Sequence, residues 1–168
     1  MFESETGTVV EEDASSTYLT FDLGAQILGV EVRHVREILD MQHITRLPNA
    51  PHDVLGVVDV RGASVPVIDL HARLGIPPLG DSPDARIVVI EIAAAAARRP
   101  VGILADRVRN VDQIPEDEIE PCPDIGAGHW DSSSLKGLSR RGSDLVVLIR
   151  LDRIFAAAPG STDPAFRF

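Results

Sequence analysis

The stretch Gly56-Val57-Val58-Asp59-Val60-Arg61-Gly62-Ala63-Ser64-Val65-Pro66-Val67-Ile68-Asp69-Leu70 decides the fold. It holds two short β-branched runs, Gly56 to Val60 and Val65 to Leu70, on either side of Arg61-Gly62-Ala63-Ser64. Runs of this length and composition suit a pleated surface, and the pair predicts a β-hairpin. Gly62 supplies the positive φ that a tight turn requires, which places Arg61 at the hairpin tip. Asp69 closes the second strand and precedes Leu70-His71-Ala72-Arg73-Leu74-Gly75. It is placed to cap a helical turn that Gly75 ends.

Upstream, Leu19, Phe21 and Leu23 alternate with Thr20 and Asp22. Gly24 then permits a turn, and Leu28, Val30 and Val32 continue on a common face, so a first hairpin is predicted. From Val32 the apolar spacing lengthens to Val32, Val35, Ile38 and Leu39, the stripe of a short amphipathic helix with Glu37 on its polar side. Arg46-Leu47-Pro48-Asn49-Ala50-Pro51 reads as a rigid connector, because Pro48 and Pro51 remove donors and push their predecessors toward extended geometry. Downstream, the Pro/Gly-rich Ile76 to Pro83 marks a crossing between two halves that meet near 76–86. Ile87 to Ile92 and Val101 to Val111 read as strands joined through an Ala run and Arg98-Arg99-Pro100, with a short extended piece at Ile114 to Glu120 and a loop at Gly126 to Ser134. Leu145 to Leu151 runs into Asp152-Arg153-Ile154-Phe155-Ala156, which repeats the strand, Asp, short-helix ending of the first half; Asp152 is therefore expected to cap as Asp69 does. Two similar barrel units over 16–157 follow, between an acidic leader (1–15) and a C-terminal tail (158–168).

With 44% hydrophobic and 25% charged residues over 168 positions, the chain falls in the globular range. Sixteen basic against 26 acidic residues give a formal charge of −10, which opposes a phosphate backbone and argues against nucleic acid as a partner. Lys136 is the only lysine; the other basic residues are arginines, suited to bidentate pairing with carboxylates on another protein. Cys122 stands alone, so no intrachain disulfide or thiolate metal cluster forms, and a reducing compartment is expected. Met1-Phe2-Glu3-Ser4-Glu5 lacks the basic start and apolar stretch of a secretory signal. The run Ile87 to Ala97 is broken by Glu91 and is too short for a bilayer of roughly 30 Å, so no direct membrane insertion is expected.

Arg61-Gly62 followed by Val65-Pro66-Val67-Ile68-Asp69-Leu70 resembles the RG-x-x-x-PVIDL signature of CheW domains, the adaptors of bacterial chemotaxis. Glu37-Ile38, the Pro48-Asn49 connector, Gly56, and Gly102, Asp106 and Val108, similar to the family's G-x-x-x-D-x-V segment, agree in order and spacing. The resemblance covers Ser16 to Ala157. It implies a mainly β, CheW-like fold of two five-stranded β-barrel subdomains with short helices, without catalysis or cofactor. It also implies two partners: the regulatory domain of a CheA-type histidine kinase, and a chemoreceptor's cytoplasmic tip received in a groove near the barrel junction. The protein would then work in the cytoplasm, recruited to membrane receptor arrays through those partners. Contact roles fall on Arg61, Gly62 and Glu37, and motif positions on Pro48, Asn49, Gly56, Pro66, Asp69, Gly102, Asp106 and Asp152. The sequence departs from the family pattern at Asp59, where Asn is usual, at Ala105, and in a longer polar loop over 121–134. Asp59 only accepts hydrogen bonds and is placed to pair with Arg61.

Two other functional classes have partial signals in the sequence. His129-Trp130-Asp131-Ser132-Ser133-Ser134 contains the residue types of a hydrolase triad, but such groups converge from separate elements, and no G-x-S-x-G elbow surrounds these serines. The five histidines show no H-x-x-x-H or H-E-x-x-H spacing. A small-ligand-binding barrel is the remaining alternative, against which stands the rule that small barrels fill their interiors with side chains.

Overall fold

A computed structural model describes residues 17–94, 97–123 and 132–155. The leader, the tail and the His129-Trp130-Asp131 part of the polar loop lie outside the described residues. The strands are β1 (Thr17–Leu23), β2 (Gln26–Glu31), β3 (Val35–Asp40), β4 (Val54–Val60), β5 (Ala63–Ile68), β6 (Arg86–Ala94), β7 (Ala97–Ala105), β8 (Arg107–Gln113), β9 (Leu135–Arg141) and β10 (Asp144–Ile149). Two short helices, α1 (Leu70–Leu74) and α2 (Leu151–Ile154), follow β5 and β10.

The strands form two five-stranded sheets, ordered β8-β1-β2-β10-β9 and β3-β6-β7-β5-β4. Each sheet therefore takes two strands from one half of the sequence and three from the other. The first half gives β1 and β2 to the first sheet and β3, β4 and β5 to the second; the second half returns β8, β9 and β10 to the first. The chain crosses between sheets at Val32–His34 and at Asp106, while the Pro/Gly-rich 76–85 only links α1 to β6 within the second sheet. The expected crossing at 76–86 is thus displaced, and neither half makes a barrel by itself.

The expected helix after Val32 is a single 3₁₀ turn, Val32–His34, followed by β3. Along β3, Val35, Glu37 and Leu39 are the less exposed residues, and Arg36, Ile38 and Asp40 face out. Pairing with β6, Ile38 opposite Val88 and Leu39 opposite Ile87, imposes the two-residue period. Arg98 to Pro100 are strand rather than connector, and Asp106 divides the expected Val101 to Val111 strand into β7 and β8.

Alternation sends each strand's side chains into two kinds of core. One face of the second sheet gathers Val58, Val65, Val67, Ile87 and Val89, and one face of the first gathers Tyr18, Ile114, Val146 and Leu148. The opposite faces meet in a shared core with Leu19, Phe21, Val30, Val88, Ile90, Ile103 and Ile149, on which Leu70 of α1 and Leu151 of α2 also pack.

Neither sheet closes into a barrel. No ladder joins β3 to β4 or β8 to β9. Five strands laid flat would hold their edges about 19 Å apart, yet Arg61 at the end of β4 bonds Glu37 of β3 and the Arg141 side chain of β9 bonds the Gln113 carbonyl of β8, so each sheet is rolled with an open seam. A single bridge spans each seam: Thr45 with Val57, and Glu120 with Leu138. A glycine precedes the bridge residue on each edge strand, Gly56 and Gly137, and a Cβ at either would run into the carbonyl oxygen of Thr45 or Glu120.

Candidate functional site

The hairpin β4–β5 turns through Arg61 and Gly62, both with positive φ (51° and 84°), the geometry of a two-residue type I′ turn. The Asp59 carboxylate accepts the Gly62 N–H at 2.8 Å, so this acid stabilises the turn instead of pairing with Arg61. Arg61 reaches across the seam. Its Nη1 and Nη2 donate to Glu37 Oε2 and Oε1 at 2.7 and 2.9 Å, a bidentate pair in which the Arg61 side chain is 73% exposed and that of Glu37 19%. Glu37 holds the Arg61 cation still more firmly in its charged form. Two residues drawn separately from the sequence, 24 positions apart, thus form one feature, with Gly62 beside it.

The remaining motif positions occupy turns and crossings. Asn49 has φ 60° after Pro48, and Ala50 N–H closes that turn onto Leu47. Pro66 lies opposite Val57, whose N–H and C=O both go to Thr45, and β5 pairs with β7 only from Val67 on, so the missing proline N–H interrupts no ladder. Gly102 lets β7 pass close to Ile87 and Val67. Asp69 caps α1, accepting from His71 N–H at 3.0 Å, and Gly75 ends the helix at φ 69°. Asp152 does not cap: Arg150 holds the cap position of α2, no side chain bonds the cap, and Asp152 lies inside the first turn. Where the first half has Asp, the second has Arg150, and the acid stands two residues later. Asp106 lies at the second crossing, its Oδ2 accepting the Gly24 N–H at 2.7 Å and standing 3.0 Å from His71 Nε2. The buried His71 ring thus sits between Asp69, 2.8 Å from Nδ1, and Asp106.

Two features were not read from the sequence. Lys136 of β9 donates to the buried Tyr18 hydroxyl at 2.6 Å and stands 3.3 Å from Glu31 and 3.2 Å from Glu116. Burial opposes its charge, but the bonds to Tyr18, Glu116 and Glu31 outweigh that and raise its pKa. Glu31 is held at about 2, below its ordinary 4.5: the His34 contact is the largest cause, burial works against it, and Arg33 and Lys136 add to the lowering. A lone lysine in an arginine-rich chain was the available signal. The second feature is a groove of about 540 Å³ between α1 and the first sheet, with Leu74, Leu28, Leu135, Leu138 and Val147 in its walls and Gln26 and Cys122 on its lining. Only tertiary folding brings these residues together. Among the described residues no His, Cys, Asp and Glu cluster is arranged to hold a metal, and no helix is long and apolar enough to cross a membrane.

The CheW-like domain family model matches residues 17–158. A probable chemotaxis protein CheW of Rhizobium etli is 34% identical over 138 residues, 82% of this chain and 86% of that protein. Chemotaxis protein CheW of Rhizobium meliloti is 35% identical over 137 residues, 82% and 85% of the two chains. Among solved structures, the scaffolding protein TtCheW from Thermoanaerobacter tengcongensis superposes with a TM-score of 0.73 at 29% identity, covering 85% of this chain and 89% of that one.

Proposed function

The chain belongs to the CheW family, whose members are non-enzymatic scaffolds of chemotaxis, and from that premise we propose that it couples a chemoreceptor's cytoplasmic tip to the regulatory domain of a CheA-type kinase. The observation that carries this reading is the Arg61–Glu37 pair: a guanidinium held rigidly at a hairpin tip, its carboxylate partner below it and its outer face open. Such a group loses little further side-chain entropy on docking and offers charge-assisted hydrogen bonds to a partner acid. We assign the groove between α1 and the first sheet to the receptor tip, an apolar face of which would lie against Leu74 and Leu138. Holding both partners at once raises their effective concentration, and no bond is made or broken. The protein acts on the cytoplasmic side and reaches the membrane through its partners.

The test is reconstitution of receptor-dependent kinase activity with limiting adaptor. Arg61→Ala should leave chemical denaturation near wild type and weaken partner capture by about tenfold or more. Gln26→Trp, which fills the groove from its exposed rim, should weaken receptor capture and spare kinase capture. Wild-type coupling by a folded Arg61→Ala protein would overturn the assignment of the pair.

A further inference from the structure

The open seam of the second sheet has a mouth beside the Arg61–Glu37 pair. A cavity of about 180 Å³ lies there, walled by Val60, Ala63 and Pro100 and floored by Val65 and Val89. Both floor residues belong to the apolar interior of that sheet and are almost fully buried. Arg36, Glu37 and Arg61 also line this open mouth, and a space of about 180 Å³ is of the size that takes one branched aliphatic or aromatic side chain.

The rim has a consistent polarity. Arg36 pairs with Glu91 at 3.4 Å and is 50% exposed against 34% for the acid. Beyond the lining residues, Arg98 is also on Glu91 at 4.0 Å and is 79% exposed. Arg61 is 73% exposed over the 19% of Glu37. In all three pairs the carboxylate lies below and the guanidinium outside, so the surface around an apolar opening is cationic on a chain whose formal charge is −10.

We propose that this mouth is a socket for one apolar side chain carried on an acidic segment of a partner protein. This rests on the reading of Arg61 as a contact residue and specifies what that contact takes. The apolar side chain would pack over Val65 and Val89 at the open seam, and the flanking carboxylates would meet the outer faces of Arg36 and Arg61, with Arg98 beyond them. A buried anchor ringed by charge is the arrangement that concentrates binding energy in few residues.

The experiment uses the full chain with methyl-labelled valine, titrated separately with a kinase regulatory domain and a receptor-tip fragment. With the partner that Arg61→Ala weakens, the Val65 and Val89 methyl resonances should shift. Ala63→Leu, which fills the socket from its wall, should lower that partner's affinity by about tenfold or more, and raising salt from roughly 0.05 to 0.5 M should weaken wild-type binding several-fold. Unmoved Val65 and Val89 methyls, while Arg61→Ala still weakens binding, would overturn the socket and leave the Arg61 contact standing. Salt-insensitive binding would overturn the acidic character of the occupant. If Arg61→Ala weakens neither partner, the contact reading fails, and the socket with it.

Discussion

Ser139 brings a hydroxyl into the interior of the first sheet, fully buried and without a hydrogen-bond partner among the described residues. Two positions after Gly137, it matches Val58, two after Gly56, which is packed in the second sheet's apolar cluster. Burying an unpaired hydroxyl costs about 1–3 kcal/mol, so Ser139→Val should raise stability by about 1 kcal/mol in urea denaturation. The two helix starts give a contrasting pair: Asp69→Ala should cost about 1 kcal/mol through the lost cap, whereas Asp152→Ala should shift the thermal midpoint much less. Glu31 provides an acid-side test. Its folded pKa, about 2, lies below the ordinary 4.5, so its contribution is complete above about 4.5 and is lost as pH falls toward 2. Glu31→Gln should remove that part of the stability loss in acid, read from denaturation curves at successive pH values. The roles of Arg61 and Glu37 were legible at this scale only as candidates, since their pairing needs the sheet to roll.

The element most misread from the sequence is β3. Val32, Val35, Ile38 and Leu39 fit a helical stripe, but Ile38 is 43% exposed and Glu37 takes an inward place. The decisive partner, β6, starts at Arg86, far along the chain, and no local spacing reports it. The β4–β5 hairpin, by contrast, was legible because its partner strand follows after two residues and Gly62 marks the turn. The seams were illegible for a different reason: the backbone approaches of Thr45 to Val57 and of Glu120 to Leu138 leave only a glycine as their trace, and Gly56 and Gly137 read equally well as ordinary turn or strand residues. Gly56→Ala and Gly137→Ala should each destabilise by about 2 kcal/mol or more, because the added methyl must displace a bridging carbonyl. Equilibrium denaturation measures this, and a near-neutral result at both would mean the bridges do not hold the seams.

At the scale of the whole molecule the repeat was legible and the exchange of strands was not. Both halves show the same order of strands and a closing short helix, yet sequence order cannot tell which sheet a strand joins. The exchange makes a sharp prediction. A protease site placed at the exposed Leu79 should yield, after cleavage, two fragments that stay together under native conditions. Each fragment isolated should lack a cooperative thermal transition, and mixing them should restore it; a fragment that folds alone would show that one sheet is self-sufficient. The same exchange bears on how the chain is made. A ribosome delivers β1 to β5 first, and at that moment neither sheet is complete: β2 still awaits β10, β3 awaits β6 and β5 awaits β7. Two unfinished sheets with bare edges must wait for the rest of translation, so the nascent first half is the stage at which this protein is most open to aggregation and to capture by chaperones.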